Sequence, residues 1–250
     1  MNVRLEPTPW LRRAQPLLGT LLEIGVQGSG GAGHAALDAA FAVLRELQAC
    51  LSRFEAGSDI ARFNALPCGG SLAMRPATQH VLAAARLLQA ASDGAFDISL
   101  GTAPAGWRCD GDRLHKLSDD VRLDLGGIAK GHAVDQAVAT LRAQGCAAGW
   151  VNAGGDLRVF GAAELPIRLR DETSGGVRPF ATLHDGAFAT SHYGGGSRSR
   201  LACGGRAARV HASVAAPLCL WADALTKVVA IGGDTAHPLL ARFDAQAWLH

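Results

Sequence analysis

The sequence predicts an α+β fold, with mixed or antiparallel sheets and packed helices, on three observations. Strand-like and helix-like apolar patterns follow one another in irregular order, which argues against a strictly alternating parallel sheet. Apolar residues make up 48% of the 250 residues and charged ones 18%, enough for a sizeable core in residues 1–250, as one large domain or two fused lobes. The 31 glycines, set against few aromatics, point to many tight turns.

Residues 17–26, LLGTLLEIGV, read as a strand, and QGSGGAGH as the glycine-rich turn after it. A helix follows, because Leu37, Phe41, Leu44, Leu47, Leu51 and Phe54 recur at three- and four-residue steps and form one apolar stripe. PCGG closes that region, and Pro76 fits the first turn of a second helix that runs to about Ala91 and ends at SDG. AFDISLG leads into a polar, tryptophan-containing loop, and VRLDL reads as a short strand. The next helix puts Ala133, Val134, Ala137, Val138 and Leu141 on one side and stops at Gly145, which suits a left-handed cap. GWVNAGGDLRVFG reads as two strands joined by a glycine turn. LPIRLRD, PFATLHDGAFATS and HASVAAPLCL are of strand length. HYGGGSRSRLACGGRAAR reads as a loop, and ADALTKVVAIGG as a helix with Gly232 near its end.

Composition excludes several classes. A net charge near +2 gives no general reason to expect nucleic acid or an anionic membrane as partner. The basic loop with Arg198, Arg200, Arg206 and Arg209 lacks interleaved aromatics and reads as a solvated loop. No apolar run reaches the length needed to cross a bilayer, and the first residues lack the regions of an export signal, so the cytoplasm is the expected location. The six cysteines contain no CxxC pair and are expected as reduced thiols. His132, His184 and His192 have no second ligand at metal-like spacing.

The chemistry concentrates in VRLDLGGIAKGHAVDQAV, residues 121–138. Strand, Gly126–Gly127, helix is a geometry in which unpaired first-turn amides can face an anion. Lys130 lies in that first turn, where a cation opposes the helix dipole unless an anion is near. Asp124 stands just before the glycines, able to accept hydrogen bonds from a sugar or base. Neither GxGxxG nor GxxxxGK[ST] is present, so the residues alone leave two readings open, an anion seat or a tight turn. NAGGDL, from Asn152 to Leu157, is a second bare-backbone element that also reads as a hairpin turn. Asp223 offers a hard carboxylate on the ADALTK helix with Thr226 and Lys227 one turn on, either a magnesium ligand or a salt-bridged surface residue.

Taken together these stretches resemble the ApbE family of flavin transferases. LLGT resembles the family's MGT element, LSRFEAGSDIARFN its LSxFxxxSxISRLN segment, and GAFDISLG its GAFDPTVG. DLGGIAKGHAVD follows DLGGIAKGYAVD nearly letter for letter, and NAGGDLRVFG, ATSHY and ADALTK come after it in order. The resemblance implies an FAD cleft between lobes. It also implies a reaction, in which FAD is bound with a divalent cation, usually magnesium, and its FMN half passes to a threonine or serine hydroxyl of an acceptor protein with release of AMP. The implied acceptor is an electron-transfer subunit. The positions implied as FAD contacts are Leu18, Phe54, Ala95, Phe96, Asp97, Asp124 and Lys130. The implied metal ligands are the Gly127 carbonyl, Asp223 and, for the family's threonine, Thr226. Asp223 and His211 are the implied catalytic positions.

Two departures stand out. The family's threonine lies four residues after the aspartate, where this chain has Lys227, with Thr226 one residue early. The HIIDPRTG segment is missing and only RVHASVAAP remains, with His211 either its shortened remnant or an ordinary surface histidine. Two rival activities follow: an FAD-binding protein without transfer, and a pyrophosphatase that releases FMN and AMP.

Overall fold

In this computed structural model residues 10–28, 30–170, 175–193 and 211–250 are described. Trp10–Leu17 (β1) and Thr20–Gln27 (β2) form an antiparallel hairpin turned by Leu18 and Gly19, whose φ angles are 54° and 73°. The single strand expected over 17–26 is therefore two, with the turn inside LLGT. β1 was hidden because it is a polar edge strand, and an edge tolerates Pro16, which has no N–H to give to a ladder.

The expected stripe packs on the first helix, Gly30–Leu51 (α1), where Leu37, Phe41, Leu44, Leu47 and Leu51 are buried. Phe54 is not part of it, because the helix ends first and Phe54 stands 79% exposed. Ser58 caps a short helix, Asp59–Ala65 (α2), by accepting from the Ala61 N–H, and Ser71–Ala73 (β3) follows. The helix expected from Pro76 is Pro76–Ala91 (α3).

Where a polar loop was expected, Trp107–Asp110 (β4) and Arg113–Lys116 (β5) pair with each other, and β5 pairs with β3. The strand expected at VRLDL is absent. Val121, Leu123 and Leu125 are buried alternately as a strand would bury them, but no neighbouring ladder accepts the backbone. Single bonds hold it instead. Asn64 exchanges two bonds with Leu123, and the Asp124 N–H donates to the Ile98 carbonyl at 2.8 Å.

Ala129–Ala143 (α4) buries all five residues of its expected apolar side, and Gly145 follows it at φ 82°. Gly149–Ala153 (β6) and Asp156–Phe160 (β7) are the expected glycine-turned pair. Leu165–Arg170 (β8) pairs with Val177–Leu183 (β9). Gly186–His192 (β10), His211–Ala216 (β11), the helix Cys219–Gly232 (α5), Pro238–Arg242 (α6) and Gln246–Leu249 (β12) complete the described chain.

The main sheet runs β1-β2-β6-β7-β10-β11-β12, every neighbouring pair antiparallel. α4 lies on β6 and β7, α5 on β10 and β11, and α1 covers α4, so the larger core fills one face of the sheet. On the other face a smaller core of Trp150, Leu157, Val159 and Phe188 packs beneath the β8–β9 pair. Two contacts fix α4 against α5. A Cβ at Gly131 would lie 2.3 Å from the Cys219 carbonyl oxygen, so only glycine allows this approach. One turn on, the Asp135 carboxylate accepts from the Cys219 and Leu220 N–H groups at 3.0 and 2.9 Å and so caps the start of α5.

Candidate functional site

The close approach of α4 and α5 brings four charged side chains from three motifs together. Lys130 comes from the first turn of α4, Asp156 from the end of the NAGGD turn, and Asp223 and Lys227 from successive turns of α5. Lys130 Nζ donates to Asp156 Oδ2 and lies 3.9 Å from Asp223 Oδ2. Lys227 Nζ donates to Asp223 Oδ1, to the Asp223 carbonyl at 2.9 Å and to Ser191 Oγ at 3.4 Å. Asp223 Oδ2 also accepts the Gly131 N–H at 3.2 Å. The Thr226 hydroxyl donates to the Asp223 carbonyl at 2.7 Å and sits 3.0 Å from Ser191 Oγ and 3.4 Å from the Tyr193 hydroxyl. It thus points toward β10.

Two carboxylates and two ammoniums balance in this cluster. Burial alone would push the Asp223 carboxyl up, but Lys130 and Lys227 outweigh it and hold its pKa below the ordinary aspartate value. Burial likewise opposes the charge on Lys227, yet Asp223 overrides it and raises the lysine above its usual value. Lys130 goes the other way. Desolvation, opposed by Asp223 and assisted by Lys227, lowers its pKa.

Beside this cluster opens a cleft of about 320 Å³ between the β1–β2 turn, the end of α1 and the start of α4; Leu18, Gln48, Arg53, Phe54, Asp124 and Lys130 are among its walls. Gln48 Oε1 accepts the Leu18 N–H at 2.7 Å and so ties the turn to α1. The Arg53 guanidinium lies 4.2 Å from the Phe54 ring centroid, and its Nε is 3.0 Å from Asp124 Oδ2. Arg53 and Phe54 also border a shallower groove of about 590 Å³ with Arg62, Ala65 and Leu66. The exposed phenyl ring is thus a ridge between two hollows, and Lys130, which lines the deeper one, links it to the buried remainder of the charged cluster.

Of the two readings the sequence leaves open at the glycine pair, the tight turn describes most of the amides. The Gly126 N–H donates to Asp124 Oδ1 at 2.8 Å, and the Ile128 and Ala129 N–H groups donate to the Leu125 carbonyl at 3.0 and 2.8 Å. Gly131 gives its N–H to Asp223. These four donors are held within the protein. The space Gly127 leaves is also taken, since a Cβ there would lie 2.8 Å from Lys227 Cε.

Of the positions singled out from sequence, Leu18, Phe54, Asp124 and Lys130 line the cleft. Phe96 is in the core and Ala95 half-buried. Asp97 is buried, and its carboxylate accepts from Ser99 N–H and Oγ, Gly101 N–H and Gln89 Nε2, which makes it the organiser of its own loop. Asp223, Thr226 and Gly127 meet around Lys227. His211 is not with them. It opens β11 opposite His192, and strand alternation turns both rings away from the face that carries Ser191 and α5. Arg198, Arg200, Arg206 and Arg209, with most of the HYGGGSRSRLACGGRAAR loop, lie outside the described residues. Sequence reasoning missed Asp156, Ser191 and Arg53. All three sit inside quoted motifs, NAGGDL, ATSHY and LSRFEAGSDIARFN, where the turn, the strand and the family pattern were read but not these side chains.

His132, inside the glycine-lysine motif, is buried and stacks on His80 with ring centroids 5.0 Å apart. Burial, with His80 adding to it, pushes its pKa from 6.5 down to about 4. The folded protein therefore binds this proton later than the unfolded chain, and stability falls as pH drops from about 6.5 to 4. The loss expected from this group is about 3 kcal/mol. Urea unfolding at neutral and acid pH measures it, and His132→Gln is expected to remove that part of the slope.

The sequence profile of the ApbE family matches residues 18–119 and 107–249. An FAD:protein FMN transferase from Rhodobacter capsulatus is 26% identical over 287 aligned positions, covering 96% of this chain and 55% of the relative. One from Treponema pallidum (strain Nichols) is 26% identical over 192, covering 62% and 53%. The chain thus spans about half the length of these curated relatives. Among solved structures, the ApbE protein of Thermotoga maritima superposes with a TM-score of 0.83 at 21% identity, covering 96% of this chain and 94% of that one. The flavinyl transferase ApbE of Pseudomonas stutzeri, apo form, gives 0.75 at 24%, covering 91% and 86%. These likenesses establish the fold.

Proposed function

The chain belongs to the ApbE family, and from that premise we propose that it binds FAD in the cleft and transfers the FMN half to a threonine or serine hydroxyl of an acceptor protein. The acceptor oxygen forms a bond to the FMN phosphorus, the bond from that phosphorus to the AMP phosphate oxygen breaks, and AMP leaves as the hydroxyl proton is lost. The observation that carries this reading is the exposed ring of Phe54 above a cleft lined by Lys130, whose ammonium leads into the buried Asp156–Asp223–Lys227 cluster. An aromatic face suits a flat heterocycle, and the Lys130 ammonium suits the diphosphate between the two halves of FAD. The deeper hollow is smaller than a whole dinucleotide, so the ligand is expected to cross the Phe54 ridge toward Arg62. The named activity of the relatives, FAD:protein FMN transferase, supports the same reading.

Magnesium is the cation the family pattern implies, with Gly127, Asp223 and Thr226 as its ligands. These residues as they stand do not fit it. Asp223 Oδ1 is bonded to Lys227, the Thr226 hydroxyl is turned to Ser191 and the Asp223 carbonyl, and Lys227 Cε lies against Gly127. The chain's own part is to stack the ring, to hold the diphosphate near Lys130 and to exclude water behind Phe54.

Incubation with FAD and a protein bearing a family-type threonine or serine site is expected to give flavin that survives denaturing gels. Phe54→Ala is expected to weaken FAD binding by about tenfold, as loss of one stacking face of about 1 kcal/mol or more requires. Binding without covalent flavin under any cation overturns the transfer. AMP released with no acceptor present would instead mark a pyrophosphatase.

A further inference from the structure

We propose that Lys227 is the built-in counter-ion of this site, its ammonium standing where the family pattern expects a divalent cation, so that the chain binds the FAD diphosphate without one. The inference rests on reading the cleft as an FAD site, and three observations carry it. First, all three Nζ protons have partners, Asp223 Oδ1, the Asp223 carbonyl and Ser191 Oγ, so the ammonium is fixed rather than a mobile surface charge. Second, the lysine stem packs against Gly127, with Cε 2.8 Å from where a Cβ there would stand, so a hydrated magnesium ion between that residue and Asp223 would have to displace the side chain. Third, Lys130 and Lys227 already balance Asp156 and Asp223, and a divalent ion would bring two uncompensated charges into a buried cluster.

The sequence shows how this arises. Moving the hydroxyl from four residues after Asp223 to three turns it around the helix toward β10, and leaves the position facing α4 to lysine. An aspartate followed at i+4 by lysine is also a favourable helical pair, so the ammonium reaches the carboxylate without distorting α5. What a metal would do for the diphosphate is thus done in part by a side chain: the carboxylate that would repel the ligand is neutralised in advance.

Mn2+ titration followed by electron paramagnetic resonance, and FAD titration followed by flavin fluorescence, test this on the whole chain. Wild type is expected to leave Mn2+ in solution, and its FAD affinity to differ by less than about twofold between excess EDTA and excess Mg2+. Lys227→Ala removes both stem and charge, frees Asp223, and is expected to bind Mn2+ at least about tenfold more tightly than wild type. The proposal is overturned if wild type binds Mn2+ and loses it on Asp223→Asn, if EDTA lowers wild-type FAD affinity about tenfold or more, or if folded Lys227→Ala binds Mn2+ no better than wild type. Should Lys227→Ala not fold, the wild-type arms decide alone. Absence of FAD binding in both EDTA and Mg2+ sinks the proposed function, while the Mn2+ comparison still decides the role of Lys227.

Discussion

Asp223→Ala is expected to lower folding stability by about 3–5 kcal/mol, because it strips a buried ammonium of its counter-ion. Asp223 is fully buried and Lys227 nearly so, and Lys227 Nζ donates to both Oδ1 and the backbone carbonyl of Asp223. Without the carboxylate, Lys227 keeps only the Asp223 backbone carbonyl and Ser191 as acceptors, and Lys130 is left with Asp156 alone. The Gly131 N–H, at the closest approach of α4 and α5, also loses its acceptor. Desolvation then works unopposed on a charge that the native state cannot hydrate. The double variant Asp223→Ala with Lys227→Met removes both charges and is expected to recover most of the loss, since a buried pair is costly to break but cheap to replace whole. Urea denaturation of the wild type, both single variants and the double variant gives the coupling. If the single and double variants unfold at the same urea concentration, the pair is not the buried unit described.

The elements that were legible were those whose own side chains settle their form. The stripes on α1 and α4 announce themselves by spacing, and Pro76, Gly145 and the NAGGD turn mark ends and corners through backbone preferences alone. What was not legible depended on partners distant in sequence. VRLDL alternates like a strand, but only the rest of the chain determines that no ladder lies beside it. β1 is polar because it is an edge, and nothing local says so. Phe54 continues the apolar spacing of α1 by one step, yet the helix ends at Leu51 and the ring turns out over the cleft. The site was half visible for the same reason. Lys130 and Asp223 stood out as charges in unusual places, whereas Asp156 looked like a turn residue until the fold put it against Lys130. Lys227 read as a departure from a family pattern; the geometry makes it a partner of Asp223.

Asp135→Ala is expected to have an effect of the same size, about 3–5 kcal/mol, for a different reason. Its carboxylate is the only side-chain cap identified at the start of α5 among the described residues, taking the N–H groups of Cys219 and Leu220, and it also accepts from Arg158 Nη1 at 2.8 Å. Alanine leaves two first-turn amides without their acceptor and a largely buried guanidinium without its anion, and Arg158 Nε already has no partner among the described residues. Burial pushes the Asp135 carboxyl above the ordinary aspartate range, its bonds to Leu220, Arg158 and Cys219 offsetting that only in part. The charge itself is thus a net cost, and what stabilises is the hydrogen bonding. Asp135→Asn, which retains one acceptor oxygen, is therefore expected to lose less than half as much as the alanine variant. Because α5 carries Asp223 and Lys227, a start of the helix freed from its cap also loosens the cluster, so FAD affinity is expected to fall along with stability in Asp135→Ala. Denaturant midpoints and FAD titrations on the two variants test both parts. Equal losses for asparagine and alanine would mean that the ion pair with Arg158, and not the cap, is what holds α5 in place.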